Sequence, residues 1–347
     1  MSKPRCTFCG KSQKDAACLI AGDGVWICDV CVGVCNDILE ERLLETPLRA
    51  PADTDLGRIE AHIRASVPGQ HGAVRQLAAI VYNQHARARA AAAGKPVADD
   101  HANVFLTGPI GSGKTLAVRA AAEAADLPLA IVDAASFVVR RHQPDRDPME
   151  ALVHAARKIR TSAHYAILLV DNAHALLTPP TADGSIRHGQ QKLLPILNGT
   201  ATVDPKEACD SRRVLVVCCG TFPGLASLDD LTAIGFLPEF AAHFGVLCRF
   251  EPLPASELRA LLTKENGLLA DCARLFEREG VELRFSTEVV DGVVREAERL
   301  GTGTRGLRCV MDNLAIAVSM SFDARPPEGP FEVGSSLLHT GPGAPED

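Results

Sequence analysis

"VFLTGPIGSGKTLAVRAAAEAA" (Val104 to Ala125) decides the fold. A short apolar run ends in a glycine-rich turn, and the turn opens directly into a stretch of helix formers. Gly108 to Thr115 fits the pattern G-x4-G-K-T. In that pattern the backbone N–H groups of Gly111, Ser112 and Gly113 cradle phosphate at a helix N-terminus. Lys114 reaches the β- and γ-phosphates, and Thr115 holds Mg²⁺. Gly108, Pro109, Ile110 and Leu116 are the loop's further ATP-binding candidates. A strand before the loop and a helix after it make the match specific.

The next informative stretch is "AILLVDNAHALL" (Ala166 to Leu177). An apolar strand delivers Asp171 at its end, where a carboxylate joins Thr115 on magnesium. Further strand-like runs, "NVFLTG", "PLAIVDA" and "RVLVVCCG", alternate with helical patterns such as "MEALVHAARKIR". Such alternation implies an α/β fold, a parallel sheet flanked by helices. This large domain is expected over 58–245. From Val246 the pattern changes to a small α+β subdomain, expected over 246–335, with "VLCRFEPL" and "VELRFS" as its strands. The Pro/Asp-containing "TPLRAPADTDLG" reads as a linker over 46–57. The end, 336–347, is Pro/Gly-rich and expected to be disordered. There is no internal repeat.

Cys6-x2-Cys9 and Cys28-x2-Cys31 lie 18 residues apart in the first 45. Each CxxC turn sets two thiolates on one edge of a metal tetrahedron, so the four cysteines are candidate ligands of one structural zinc. A domain this short has too little core to fold alone, and zinc supplies the missing stability. The alternative, four unpaired buried thiols, is the weaker reading. Cys18 and Cys35 are spare. Cys209, Cys218, Cys219, Cys248, Cys272 and Cys309 read as small buried apolar residues.

The whole chain has 347 residues, 46% of them hydrophobic, and a net charge of −7. That balance disfavours a general nucleic-acid or anionic-membrane surface. No apolar run approaches the roughly 18 residues of a membrane span, and "MSKPRCTFCG" carries no secretory h-region. A cytoplasmic protein is expected, and twelve cysteines in a reducing compartment point to metal or buried thiols.

Taken together, these stretches resemble the ClpX family of AAA+ unfoldases. "CTFCGKSQ" and "LIAGDGVWICDVCVGVCNDIL" look like its zinc domain, and "VPGQHGAVRQLAAIVYNQH" like the segment against adenine. "TGPIGSGKT", "GQQKLLPILNGT", "GFLPEF", "EGVELRF" and "GTGTRGLR" look like its later motifs, in the same order. The resemblance implies a zinc domain that dimerises and docks substrates or adaptors, and a ring that binds ATP and pulls polypeptide through a pore. It places Arg305 at the sensor-2 arginine that contacts ATP; the alternative is a surface charge.

The departures fall on the working parts. Asn172 stands where the family has the glutamate that prepares the attacking water, and His174 replaces a second acid. His243 stands at the place of the arginine finger. A neutral imidazole offers one donor and no planar fork, and Arg249, six residues on, reads as strand. Losing an arginine finger costs about 10³–10⁵ in rate, and losing a positioned base roughly 10²–10⁴. The two need not multiply. The family's aromatic pore loop is replaced by "FVVRRHQPDRDP", and its basic second loop is absent from "TATVDPKEACDSRR". The insertion that docks on the ClpP peptidase is missing. Ile234–Phe236 repeats that loop's Ile-Gly-Phe string, but directly before "LPEF", where core packing is expected.

Two functions follow. The first is a zinc- and ATP-binding ClpX-like protein with little or no hydrolysis of its own, acting on proteins alone or in a mixed ring with a competent ClpX. The second is an active unfoldase or chaperone working without ClpP. A zinc-containing nucleic-acid binder is the weakest reading, because no basic cluster accompanies the cysteines.

Overall fold

A short hairpin is formed by the first two strands. The computed structural model describes residues 4–35, 38, 48–98, 102–137, 147–177, 185–201, 209–278, 280–322 and 329–339. Two units separate at Arg49 and Ala50. In the first, Leu19–Ala21 (β1) pairs antiparallel with Trp26–Cys28 (β2), and 29–35 is helical.

The second unit starts at Leu56–Ser66 (α1), behind Asp55, whose carboxylate accepts from Arg58 N at 2.9 Å. Leu56 and Gly57 are therefore helical, which shortens the linker expected to run to 57. His71–Ala92 (α2) follows. Then come Asn103–Thr107 (β3), Lys114–Ala124 (α3), Leu129–Asp133 (β4), Pro148–Ile159 (α4) and Ile167–Asp171 (β5). Ser185–Leu197 (α5), Leu215–Gly220 (β6), Asp230–Ala233 (α6), Pro238–Ala241 (α7) and Phe244–Arg249 (β7) complete the layer.

The five strands form one parallel sheet in the order β4-β5-β6-β3-β7. β3 and β6 are buried along their whole length, as are the first four residues of β5. Such runs are apolar without alternation because helices cover both faces. One face packs on Ile59, Ile63, Leu77 and Val118 of α1, α2 and α3. The other packs on Leu152, Leu193 and the rings of Phe222, Phe236 and Phe240. β7 corrects the expected boundary at 245. Val104 pairs with Val246 and Phe105 with Leu247, so "VLCRF" closes the large sheet and does not open the small subdomain. Its apolar pattern suits either sheet, and only the pairing partner decides.

The remainder comprises Ala255–Thr263 (α8), Leu268–Glu277 (α9), Val281–Phe285 (β8), Thr287–Leu300 (α10), Gly303–Ser321 (α11) and Gly329–Val333 (β9). α10 shows why these residues are helical. Ser286 caps it by accepting from Val289 N, and Gly301 ends it at φ +63°. Val289, Val290, Val293, Val294 and Ala297 form one buried stripe between. β8 pairs in parallel with β9. Ser335–His339 forms a 3-10 turn, with Leu337 and Leu338 against the bundle core. The tail expected to be disordered from 336 is thus ordered through 339, because two leucines there have a core to join. Residues 340–347 lie outside the described residues.

Candidate functional site

The loop after β3 has the backbone its glycines allow. Gly111 and Gly113 sit at φ +72° and +93°. A Cβ on Gly113 would come 2.6 Å from Val67 Cγ1, and one on Gly111 would come 2.0 Å from Thr302 O. The loop is thus wedged between the end of α1 and the start of α11, and only glycine fits. Lys114 Nζ donates to Gly108 O at 2.9 Å and Pro109 O at 2.7 Å, which points its amine into the loop. Burial pushes the Lys114 amine down, and the charge of Arg305 adds to this. Ile110 and Leu116 are exposed beside the loop.

Asp171 ends β5 facing α3, and its Oδ2 accepts from Thr115 Oγ1 at 2.9 Å. Two hard oxygens side by side fit Mg²⁺. Asp171 Oδ1 accepts from Asn172 N at 2.8 Å and from Cys219 Sγ at 3.0 Å. Cys219 was expected as an inert buried thiol. It is fully buried, but its sulfur is committed to Asp171, and burial together with that bond pushes it up to about 12. The signal was its place one residue beyond Cys218, which pairs across the sheet with Val170.

Asn172 takes the left-handed conformation at φ +54°, a region Asn tolerates better than other non-glycine residues. Its Nδ2 reaches Asp133 Oδ1 at 3.4 Å. His174 lies edge-on to Phe222, with ring centroids 6.4 Å apart.

Arg305 lies in the first turn of α11 and is exposed. The preceding Thr304, which sequence reasoning missed, donates to Gly111 O from N at 3.2 Å and from Oγ1 at 3.0 Å. α11 therefore starts on the phosphate loop itself. A cavity of about 200 Å³ beside it is lined by Pro109, Ile110, Leu253, Leu258 and Glu298, among others.

His243 is not near this site in its own chain. Phe244 pairs with Asn103 at the start of β3, while the loop leaves its end. The five residues of β3 span about 16 Å. His243 lines a separate cavity of about 700 Å³ with Asn198, Gly199, Ser211 and Arg212. Arg249 is spent on the Leu225 and Ala226 carbonyls at 3.0 and 2.8 Å. In the Ile-Gly-Phe string, Phe236 is 2% exposed and stacks on Phe240 at 5.3 Å. The expected first pore loop falls at 138–146 and much of the second at 202–208, outside the described residues.

In the first unit the sulfurs of Cys6, Cys9, Cys28 and Cys31 all lie within 4.8 Å of one another. Backbone N–H groups of Cys28 and Cys31 point at Cys6 and Cys28 sulfurs, at 3.3 and 3.4 Å. Without metal the thiols conflict: Cys9 beside it and burial push the Cys31 thiol up. One divalent cation resolves that conflict, and these four cysteines form a C4 zinc site. Cys18 is exposed and Cys35 half-buried. Cys209, Cys218, Cys248 and Cys272 are buried. Cys309, also expected to be buried, is exposed, because it lies off the α11 face that carries Gly306, Leu307, Val310 and Leu314. Among the described residues no helix is long and apolar enough to cross a membrane.

Known families agree with this geometry. Residues 4–41 match the ClpX C4-type zinc finger, and residues 104–230 match the ATPase family associated with various cellular activities (AAA). The chain is 27% identical to the ATP-dependent Clp protease ATP-binding subunit ClpX of Bacteroides thetaiotaomicron, over 91% of each chain. With its C4 zinc site, its ATP- and Mg²⁺-binding AAA domain and this likeness along nearly its full length, the chain is a divergent ClpX-like protein.

Proposed function

We propose that this ClpX-like AAA+ ATPase holds Mg-ATP as a long-lived ligand and presents its zinc unit to protein partners. On this reading Gly108–Leu116 cradle the phosphates, Lys114 turns from the loop carbonyls to the β- and γ-phosphates, and Arg305 approaches from α11. Thr115 and Asp171 hold magnesium, which neutralises phosphate charge when bound. The observation that carries the reading is Asn172. It brings no carboxylate to the site, it lies in a left-handed turn, and its amide is engaged by Asp133. An amide orients a water but takes no proton from it. His243 adds a second deficit, felt by a neighbouring subunit.

Partner binding rests on the first unit. Phe8, Ile20, Val25, Val30, Val34 and Ile38 are all exposed there, which supports this unit as the one that meets a partner. ClpP docking is not part of the proposal, because Phe236 of the Ile-Gly-Phe string is buried against Phe240 and Ile234 is half-buried against the same cluster. The second reading, an active unfoldase working without ClpP, draws on Lys114, Thr115 and Asp171 standing together with Arg305 close by.

Steady-state ATPase decides between them. It is measured on wild type, Asn172→Glu, Asn172→Asp, His243→Arg and the Asn172→Glu/His243→Arg double variant, each above its assembly threshold. Each of the three single changes recovers little. The double recovers much more than the singles combined, because both groups act in one transition state. Asn172→Asp supplies a carboxylate without the left-handed strain of about 1–2 kcal/mol that Glu meets. Multiple turnovers per second from wild type would falsify the slow-hydrolysis reading, and undiminished ATP binding in Lys114→Ala would remove the nucleotide site.

A further inference from the structure

Cys219 is unexplained by phosphate chemistry, which asks for oxygens and cations at the end of this strand. Three elements converge there. α3 brings Thr115 Oγ1, β5 brings the Asp171 carboxylate, and β6 brings Cys219 Sγ. Sγ lies 3.0 Å from Asp171 Oδ1 and 3.9 Å from Thr115 Oγ1, and Thr115 Oγ1 lies 2.9 Å from Asp171 Oδ2. Neighbouring ligands on one divalent ion are about 3–4 Å apart, so the three side chains already stand at coordinating distances. The cysteine is not alone in the way Cys218 is. Cys218 faces the opposite side of the sheet, among Phe105, Val170 and Phe222, whereas Cys219 turns toward the pair that the nucleotide site offers to its metal.

We propose that Cys219 is a direct ligand of the nucleotide-bound metal, beside Thr115 and Asp171, and shifts this site's preference from Mg²⁺ toward thiophilic divalent ions. The inference rests on the nucleotide site proposed above. Sulfur is a soft donor that hard Mg²⁺ disfavours and Zn²⁺ or Cd²⁺ accept. On ligation the S–H bond breaks, its proton leaves to solvent and an Sγ–metal bond forms, with no change of oxidation state. With Mg²⁺ the thiol keeps its proton and its hydrogen bond to Asp171.

The test uses the full chain with its C4 cluster loaded. A fluorescent ATP analogue is titrated with Mg²⁺ and separately with Cd²⁺, in wild type, Cys219→Ser and Cys219→Ala. The ratio of Cd²⁺ to Mg²⁺ affinity is expected to fall about 10–100-fold in both variants. A cadmium–thiolate absorption band should appear on adding nucleotide to wild type and be lost in both, above the constant signal of the C4 cysteines. Serine keeps a hydroxyl for Asp171, so a residue that only orients Asp171 is rescued by it with either ion. An unchanged ratio with no nucleotide-dependent band overturns the proposal. Absence of analogue binding by wild type with either ion, at the level of Lys114→Ala, overturns the nucleotide site and this proposal with it.

Discussion

The His85 ring donates from Nδ1 to the Ala125 carbonyl at 2.9 Å, and its Nε2 has no partner. A second proton would put an unsolvated charge between α2 and the end of α3, so burial holds its pKa below the ordinary 6.5. His164 behaves alike: it is also held down by burial, and its Nδ1 accepts from Asp210 N at 3.0 Å. The unfolded rings bind protons first as pH falls. Stability is therefore full above the unfolded value and is lost as pH drops below about 6.5 through the folded values. Melting temperature should decline between about pH 7 and pH 5, and less so in His85→Gln. An equal decline in wild type and variant would show that His85 does not contribute. Neither histidine announces this in the sequence, since burial depends on which carbonyl the fold brings near. Asn172 was half legible: the missing carboxylate can be read, the left-handed backbone beneath it cannot.

Between β6 and β7, α6 leads into "IGFLPEFAAHF" (Ile234 to Phe244), which contains α7 and runs across one face of the sheet into β7. Phe105, Phe222, Phe236, Phe240 and Phe244 meet there with centroids 5.1–5.8 Å apart. Gln190 adds a polar clamp, donating to Gly235 O at 3.4 Å and accepting from Leu237 N at 2.8 Å. Truncating a packed ring here leaves a cavity, so Phe236→Ala should cost about 3–5 kcal/mol in urea unfolding. A change below about 1 kcal/mol would mean that the string is exposed and free to dock. At this scale the sequence was most informative. The runs around β3, β4, β5 and β6 could be read from length and flanking turns, and the phosphate loop from its spacing. The assignment of β7, the partner strand β9 and the Thr304–Gly111 bonds could not be read, because each depends on a residue remote in sequence.

Over the whole molecule, stability comes from two different sources. The second unit has three apolar clusters, and among the described residues of the first, Cys6 and Cys28 are the only buried hydrophobic side chains. The first unit is accordingly held by metal. Chelation, or Cys6→Ser, should remove one zinc per chain and melt the first unit, leaving the main calorimetric transition and ATP binding in place. Loss of both transitions together would show that the zinc unit supports the rest. The CxxC spacing made this legible because ligand chemistry is local, whereas the boundary of the sheet domain is not.

The sheet's polarity has a consequence for dosage. His243 stands at the opposite end of β3 from the phosphate loop, so on the proposed reading its deficit falls on another subunit's nucleotide, while the Asn172 deficit falls on its own. In a ring of the proposed mixed kind, one copy thus silences two sites. A site works only when its owner and the neighbour facing it are both competent, so activity follows the square of the competent fraction. Replacing half of a competent ClpX pool by this chain should leave about a quarter of the ATPase, not half. Restoring His243→Arg should return the curve to linear. The chain would then act as a brake whose strength rises fastest at its first few copies.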